Sequence, residues 1–165
     1  LSLLATLEAQ LAQTPFALGE RPTAADCMLL GGLRAHTNND PIPDLSRFSR
    51  VLTWNARSGG DWTGEGELPP FPATTAFAEH VLALGRDHYA PFLLGNARAL
   101  ADGAKAFVVD TYGTPCSYLA RPYPEQSRQM IRDRIRHRLD ASEQTQARTW
   151  LESWGLADCF WPAGS

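Results

Sequence analysis

Residues 15–26 read PFALGERPTAAD, and the pattern of this stretch predicts the start of a helix. Residues 19–22 form a turn, since glycine and proline interrupt regular structure. After the turn, the Thr23 side chain is predicted to accept a hydrogen bond from the backbone N–H of Asp26, and the Asp26 carboxylate is predicted to reach back to the Thr23 N–H. Both residues therefore have a predicted structural role as a helix cap.

The apolar spacing predicts a helix on each side of this turn. A leucine stripe lies on one face of the first helix: Leu3, Leu4, Leu7 and Leu11. The second helix, to about residue 36, is apolar on most sides, so we expect it to be central. Its Gly31-Gly32 pair costs roughly 1 kcal/mol of helix propensity per glycine, which close approach of a neighbouring helix would explain.

The composition is that of an ordinary globular protein. Of the 165 residues, 44% are hydrophobic and 20% are charged, and this length suffices for one sizeable core. Fifteen basic and eighteen acidic residues give a formal net charge of -3, so neither nucleic acid nor a membrane is predicted as a partner. Three separated cysteines without a C-x-x-C motif favour a reduced compartment, and we predict a cytoplasmic protein.

A long connection divides the predicted elements into two groups. Residues 58–72 are rich in Gly, Pro and Glu and show no periodicity, which predicts a surface loop and an internal boundary. We therefore predict two domains: residues 1–72 form a helical core and residues 73–165 form a helical extension.

The predicted extension contains helices and one hairpin. A long helix over about 74–102 is followed by a hairpin within 104–120, where apolar and polar residues alternate. A basic helix over about 124–139 and a last helix over about 142–155 follow, with Ser142 as the expected N-cap of the last one. The fold class is mainly α.

The segment from Phe16 to Trp54 resembles the C-terminal helical domain of glutathione S-transferases. Residues 15–26 look like the F-L-x-G-x-x-P-S/T-x-A-D entry to the buried central helix of that domain. The likeness continues through GGLRAH at 31–36, DPIP at 40–43 and VLTW at 51–54. Bacterial proteins similar to this family tend to carry an extension that resembles residues 77–160. The resemblance implies a helical bundle of this family, extended by a small β-hairpin and further helices.

The resemblance also implies which half of the chemistry is present. In this family the residues matching Thr23 and Asp26 form a structural cap and are not catalytic. Glutathione and the residue that activates its thiol belong to an N-terminal thioredoxin-like domain. The chain starts at Leu1 inside a helical pattern, which we interpret as a truncation, so that domain is expected to be missing. We predict no catalytic residue and no cofactor here, with glutathione as co-substrate only when the thioredoxin-like domain is present.

Two functions remain open at this level. The first is the electrophile-binding and dimer-forming portion of a glutathione transferase, which would bind a small hydrophobic electrophile. The second is a non-catalytic binding or assembly module with the same fold. For a ligand pocket we name Arg34, His36 and Trp54, with core packing as the alternative role of these residues.

Other residue clusters are better explained by structure than by chemistry. The basic run over 128–138 is diluted by acidic residues and has no interleaved aromatic residues, which predicts a solvated helix face. His80 and His88 lie eight residues apart, so their imidazoles diverge around a helix and no metal site is predicted. Cys27 is expected to be a small buried residue and not a nucleophile.

Overall fold

A computed structural model describes residues 2–39, 44–57 and 66–161. They belong to two compact units, Leu1–Val81 and Leu82–Ser165. The division between the units falls inside one helix, α4 (Ala76–Leu84). The two domains that the sequence predicts, 1–72 and 73–165, stay a prediction about the organisation of the protein.

The first unit is helical and is built on the leucine stripe. Its elements are α1 (Ser2–Gln10), α2 (Ala24–Asn39), α3 (Ser49–Asn55) and most of α4. Leu7 of α1 is 1% exposed, and the other leucines of the stripe pack against the same cluster, as predicted. The buried members of this cluster are Leu7, Ala17, Leu45, Phe48, Val51 and Phe77. Apolar side chains at three- and four-residue spacing thus bury one face of α1.

The helix α2 differs from its prediction. Met28 is 79% exposed and Cys27 is exposed as well, so the expectation that Cys27 is buried is wrong. A Cβ atom added at Gly31 or Gly32 would have no described atom within 4 Å, so the described chain contains no neighbouring helix close to this pair. Leu29 and other partly buried residues pack one side of α2 on the core, and the opposite side stays uncovered by the described residues.

The C-terminal end of α2 also lies beyond its predicted position. The helix runs to Asn39, whereas the sequence predicted its end at about residue 36. The DPIP segment at residues 40–43, which is part of the family resemblance, lies outside the described residues.

The second unit contains the predicted long helix, the hairpin and the last helices. After α4, a π-helical turn (Gly85–Tyr89) leads into α5 (Ala90–Ala101), and the Ala90 N–H bonds to the Gly85 carbonyl. A π-helical turn inside a helix is a local widening of the backbone ladder. The remaining elements are β1 (Ala106–Thr111), β2 (Thr114–Leu119), α6 (Pro122–Arg138), α7 (Ala141–Ser153) and α8 (Ala157–Phe160).

The hairpin turns through only two residues. The strands β1 and β2 pair antiparallel, and Thr111 lies opposite Thr114. The two turn residues, Tyr112 and Gly113, have φ angles of 58° and 73°. Two successive residues of positive φ match the right-handed twist of a hairpin, so a two-residue turn suffices.

The hairpin packs closely on α5 at Gly95. A Cβ atom added at Gly95 would lie 2.7 Å from Val109 Cγ1 and 2.8 Å from Phe107 Cδ2. No side chain fits at this position without displacement of the hairpin, so the glycine allows the contact.

One member of the basic run is structural. Arg128 is 7% exposed and donates to the Glu125 carboxylate through Nε and Nη2, both at 2.8 Å. Its Nη1 donates to the Cys159 carbonyl at 2.9 Å. Arg128 therefore joins α6 to α8, in contrast to the solvated face predicted for the run.

The thiol of Cys159 is buried. Burial raises the pKa of this thiol to about 11, so it stays protonated near neutral pH.

The N-cap of α7 is Asp140 and not Ser142. Asp140 Oδ1 accepts from the Glu143 N–H at 2.8 Å, and Glu143 Oε2 accepts from the Asp140 N–H at 2.9 Å. The residues 140–143 read DASE, which matches the capping-box pattern two residues earlier than the predicted cap.

Candidate functional site

The carboxylate of Asp26 is the buried centre of the stretch that opens α2. Asp26 is 0% exposed. Its Oδ2 accepts from the Thr23 N–H at 2.8 Å and from the Thr23 hydroxyl at 2.7 Å, and its Oδ1 accepts from the Ala17 N–H at 2.8 Å. The Thr23 hydroxyl is thus a donor here, in place of its predicted acceptor role, because carboxylate oxygens accept hydrogen bonds and need donors when they are buried.

The Ala17 peptide group extends this network toward α4. The Ala17 carbonyl accepts from the Thr75 hydroxyl at 2.9 Å, and Thr75 Oγ1 accepts from the Ala78 N–H at 3.2 Å. Buried polar groups need such partners to avoid the cost of desolvation. The network therefore fixes the connection between α1 and α2, the start of α2 and the start of α4 within the first unit.

A cleft of about 220 Å³ opens in the same unit, beside α3. Its lining residues combine apolar side chains, two hydroxyls and two arginines: Leu11, Pro15, Ser49, Arg50, Thr53, Trp54 and Arg57. No carboxylate is present among these lining residues. The cleft therefore combines an apolar wall with positive charge.

Each arginine of the cleft is held by contacts with neighbouring groups and has further N–H donors. Arg57 Nη1 donates to the Pro15 carbonyl at 3.1 Å, and its guanidinium carbon lies 5.5 Å from the centroid of the Phe16 ring. Arg50 Nη1 lies 3.2 Å from Glu8 Oε1. A guanidinium has several N–H donors and keeps its charge in proteins.

Glu8 has a structural role next to the cleft. Its carboxylate accepts from the backbone N–H groups of Arg50 at 3.1 Å and Val51 at 2.9 Å, which are the open donors at the start of α3. The N-cap residue of α3, Phe48, makes no side-chain hydrogen bond to the helix, so the carboxylate of Glu8 in α1 caps α3 in its place. Burial disfavours the charged form, but the hydrogen bonds from Val51 and Arg50 and the Arg50 charge together hold the pKa of Glu8 below its usual value.

The structure brings two of the three predicted pocket residues to one end of α3. Trp54 is 1% exposed and lines the cleft. Arg34 donates through Nε to the Asn55 carbonyl at 3.0 Å and through Nη2 to the Arg57 carbonyl at 2.6 Å, which fixes the C-terminal end of α3. His36 is exposed on α2 and is not among the lining residues. Ligand binding by these residues stays a prediction.

Sequence reasoning missed Arg50 and Arg57. A signal for them existed, because Arg50, Thr53, Trp54 and Arg57 follow the spacing i, i+3, i+4, i+7 of one helix face. That pattern mixes charged and apolar residues, so it does not stand out as an apolar stripe. Pro15 and Leu11, which belong to a different segment of the chain, complete the lining of the cleft.

A second and more open groove lies on α6 in the second unit. It has a volume of about 360 Å³ and is lined by Ile131, Arg134, Ile135, Arg138 and Leu139. All its residues come from one helix and the residue after it, so it is a surface groove without a facing wall.

Neither a metal-binding cluster nor a membrane-spanning helix occurs among the described residues. In residues 2–39, 44–57 and 66–161 there is no group of three or more His, Cys, Asp or Glu side chains arranged to hold a metal ion. Within these ranges, no helix has the length and apolar character needed to cross a membrane.

The fold and the capping network together define a helical domain of the kind that the resemblance implies. Residues 1–57 match the family model described as Glutathione S-transferase, C-terminal domain. The matched part of the chain contains α1, α2, α3 and every lining residue of the cleft, and the match supports a glutathione S-transferase C-terminal domain there. The predicted resemblance and the mainly helical fold with a hairpin are confirmed. Comparisons with curated proteins and with solved structures gave no match.

Proposed function

We propose that residues 1–57 are the electrophile-binding portion of a glutathione S-transferase-like protein and that the cleft beside α3 receives the electrophile. One observation supports this assignment: the cleft lies wholly within the residues that match the family. Its apolar wall of Leu11, Pro15 and Trp54 suits the apolar body of a small substrate. The volume of about 220 Å³ is below the roughly 300–1,000 Å³ of pockets that enclose drug-sized ligands, so the substrate is small.

The cleft fits the second substrate and not glutathione. Conjugation requires the glutathione sulfur as a thiolate, held next to the electrophilic carbon by a separate donor. By resemblance, that donor belongs to a thioredoxin-like domain. The contribution of the cleft would then be to bind and orient the electrophile, with Arg34 holding the end of α3 that carries Trp54. We further propose a cytoplasmic homodimer, as the resemblance and the cysteine usage imply.

The proposed function is tested first with glutathione. We expect calorimetric titration of the full chain with glutathione to show no binding, and the coding sequence upstream of Leu1 to specify a thioredoxin-like domain. We expect the protein that includes this domain to conjugate an aryl halide to glutathione. Tight binding of glutathione to the chain alone would contradict the assignment of its site to the other domain.

The cleft is tested with a variant that fills it. Thr53 lines the cleft from an exposed helix position, and its hydroxyl donates to the carbonyl four residues earlier at 2.8 Å. Thr149 of α7 is also exposed and makes the same kind of bond at 3.0 Å, which makes it the matched control. We expect Thr53→Gln to raise the KM for the aryl halide several-fold and Thr149→Gln to leave it unchanged. Equal KM values for both variants would place the electrophile elsewhere.

A non-catalytic assembly module is the alternative, and the exposed side of α2 favours it. Met28 is 79% exposed, and no described atom lies within 4 Å of a Cβ atom added at Gly31 or Gly32, which leaves the helix backbone there accessible to a partner. Such a surface suits a second helix in close contact. Under this alternative the protein binds no glutathione with or without further domains, and Met28→Glu disrupts an assembly that light scattering detects. A monomeric protein with conjugating activity would exclude it.

A further inference from the structure

The cleft beside α3 carries two positive charges that an apolar electrophile does not use. We infer that the cleft selects a small aromatic ligand bearing an anionic group such as a carboxylate, with Arg57 binding the anion and the half-buried Leu11 and Pro15 forming the apolar wall against the ring. This inference rests on the proposed function, since it names the class of ligand for the same site. The argument starts from the partners of each arginine.

Arg57 is the anchor for the anion. Its side chain is half-buried, and it is held by the Pro15 carbonyl and by the face of Phe16. Both partners are uncharged, and none of the salt bridges between described residues involves Arg57. The remaining N–H groups of a fixed, planar guanidinium form a fork that matches a carboxylate. The side chain is therefore positioned in advance while its charge is not neutralised by these contacts.

Arg50 adds a second positive charge to the lining of the cleft. It lies in α3, whereas Arg57 follows the end of that helix. The partner of Arg50, Glu8, also accepts from two backbone N–H groups at the start of α3. Arg50 is thus one of several donors to Glu8, and it is more exposed than Arg57. We expect Arg50 to contribute long-range attraction and Arg57 the direct contact.

The apolar wall selects the rest of the ligand. Leu11 and Pro15 line the cleft together with the arginines, whereas the Thr53 hydroxyl is engaged with the Ser49 carbonyl at 2.8 Å. A flat aromatic body packs on such an apolar wall. An anion without an apolar body would lose this contribution and meet competition from water. The combination favours an aryl carboxylate over inorganic phosphate or a neutral arene.

The first experiment compares a matched pair of ligands by calorimetry on the full chain. The probes are 2-naphthoate and 2-naphthamide, which share shape and differ in charge. We expect 2-naphthoate to bind at least tenfold more tightly and to weaken as salt rises, because salt screens attraction between charges at exposed sites. Equal affinities, or tighter binding of 2-naphthamide, would overturn the inference.

The second experiment locates the anion. Arg57→Gln is expected to weaken 2-naphthoate binding about tenfold, Arg57→Lys to restore part of it, and Arg50→Gln to weaken it two- to threefold. Arg47 is the matched control, because its guanidinium carbon lies 4.7 Å from the Phe48 ring and yet it does not line the cleft. Arg47→Gln should leave binding unchanged. Equal effects of Arg47→Gln and Arg57→Gln would overturn the inference.

The groove on α6 is the competing anion site, since it combines Arg134 and Arg138 with apolar residues. Loss of 2-naphthoate binding in Arg138→Gln, with binding intact in Thr53→Gln, would move the site there and overturn the inference. The reverse pattern supports the cleft. The proposed function fails separately, when the protein with its thioredoxin-like domain forms no conjugate although 2-naphthoate binds in the cleft. Conjugation of an aryl halide that bears a carboxylate, at a rate insensitive to Arg57→Gln, would contradict the inference alone.

Discussion

Replacement of Asp26 by alanine should destabilise the first unit more than any other single loss of a helix cap. The substitution removes the acceptor of three hydrogen bonds at 2.7–2.8 Å, from the Ala17 N–H, the Thr23 N–H and the Thr23 hydroxyl. The side chain is fully buried, so water does not replace the lost acceptor in the folded state without rearrangement.

The magnitude follows from two opposing effects. Hydrogen bonds to a charged group contribute roughly 1.5–3 kcal/mol each, and a buried donor left without a partner costs roughly 1–3 kcal/mol. Removing the carboxylate also removes the desolvation cost of a buried charge, so the contributions do not add up in full. We expect Asp26→Ala to lower the free energy of unfolding by about 3–5 kcal/mol, which is a large part of the roughly 5–15 kcal/mol of a typical domain.

The assay must report on the first unit by itself. Urea unfolding followed by circular dichroism gives the overall change, and hydrogen exchange measured on peptides within residues 15–39 assigns it to the start of α2. Asp140→Ala is the control, because Asp140 caps α7 from an exposed position in the second unit. It should cost about 1 kcal/mol and leave exchange in α2 unchanged. If Asp26→Ala costs no more than Asp140→Ala, the reasoning about the buried acceptor is wrong.

Three substitutions and one labelling experiment test other contacts. Glu8→Gln should cost about 1 kcal/mol near neutral pH and flatten the loss of stability in acid, as measured by urea unfolding at several pH values. The sign follows from a folded pKa below the ordinary value of 4.5: the stabilisation is complete above that value and is lost as the pH falls through the folded pKa. Gly95→Ala should destabilise the second unit by about 1–3 kcal/mol because the added Cβ atom would meet the hairpin. Gly31→Ala should stabilise the first unit by about 0.5–1 kcal/mol because nothing described lies near the added Cβ atom. Thermal unfolding that ranks the two variants in the opposite order would refute both packing assignments. With a thiol reagent at pH 8, exposed Cys27 should react quickly and Cys159, with a pKa of about 11, slowly, as mass spectrometry of labelled peptides will show.

Local patterns in the sequence determined a large part of the helical framework. The leucine stripe of α1, the start of α2 after Thr23 and the alternation within the hairpin are all patterns of residues a few positions apart. Such patterns, whether a repeat of 3.6 or 2 residues or a cap, can be recognised in one segment at a time. The capping box of α7 belongs to the same group, although its sequence signal at Asp140 was missed. The family resemblance depended on these local features.

Tertiary structure alone decided the candidate site and the exposure of α2. The cleft exists because Arg57 meets the Pro15 carbonyl, and α3 begins where Glu8 of a different helix accepts its open N–H groups. These partners lie more than forty residues apart in the chain, so no periodicity relates them. The apolar composition of α2 likewise indicated burial, but burial depends on which segments pack against each side. Local residue types therefore determined where helices begin, and the packing of distant segments determined which side chains meet and where positive charge faces an apolar wall.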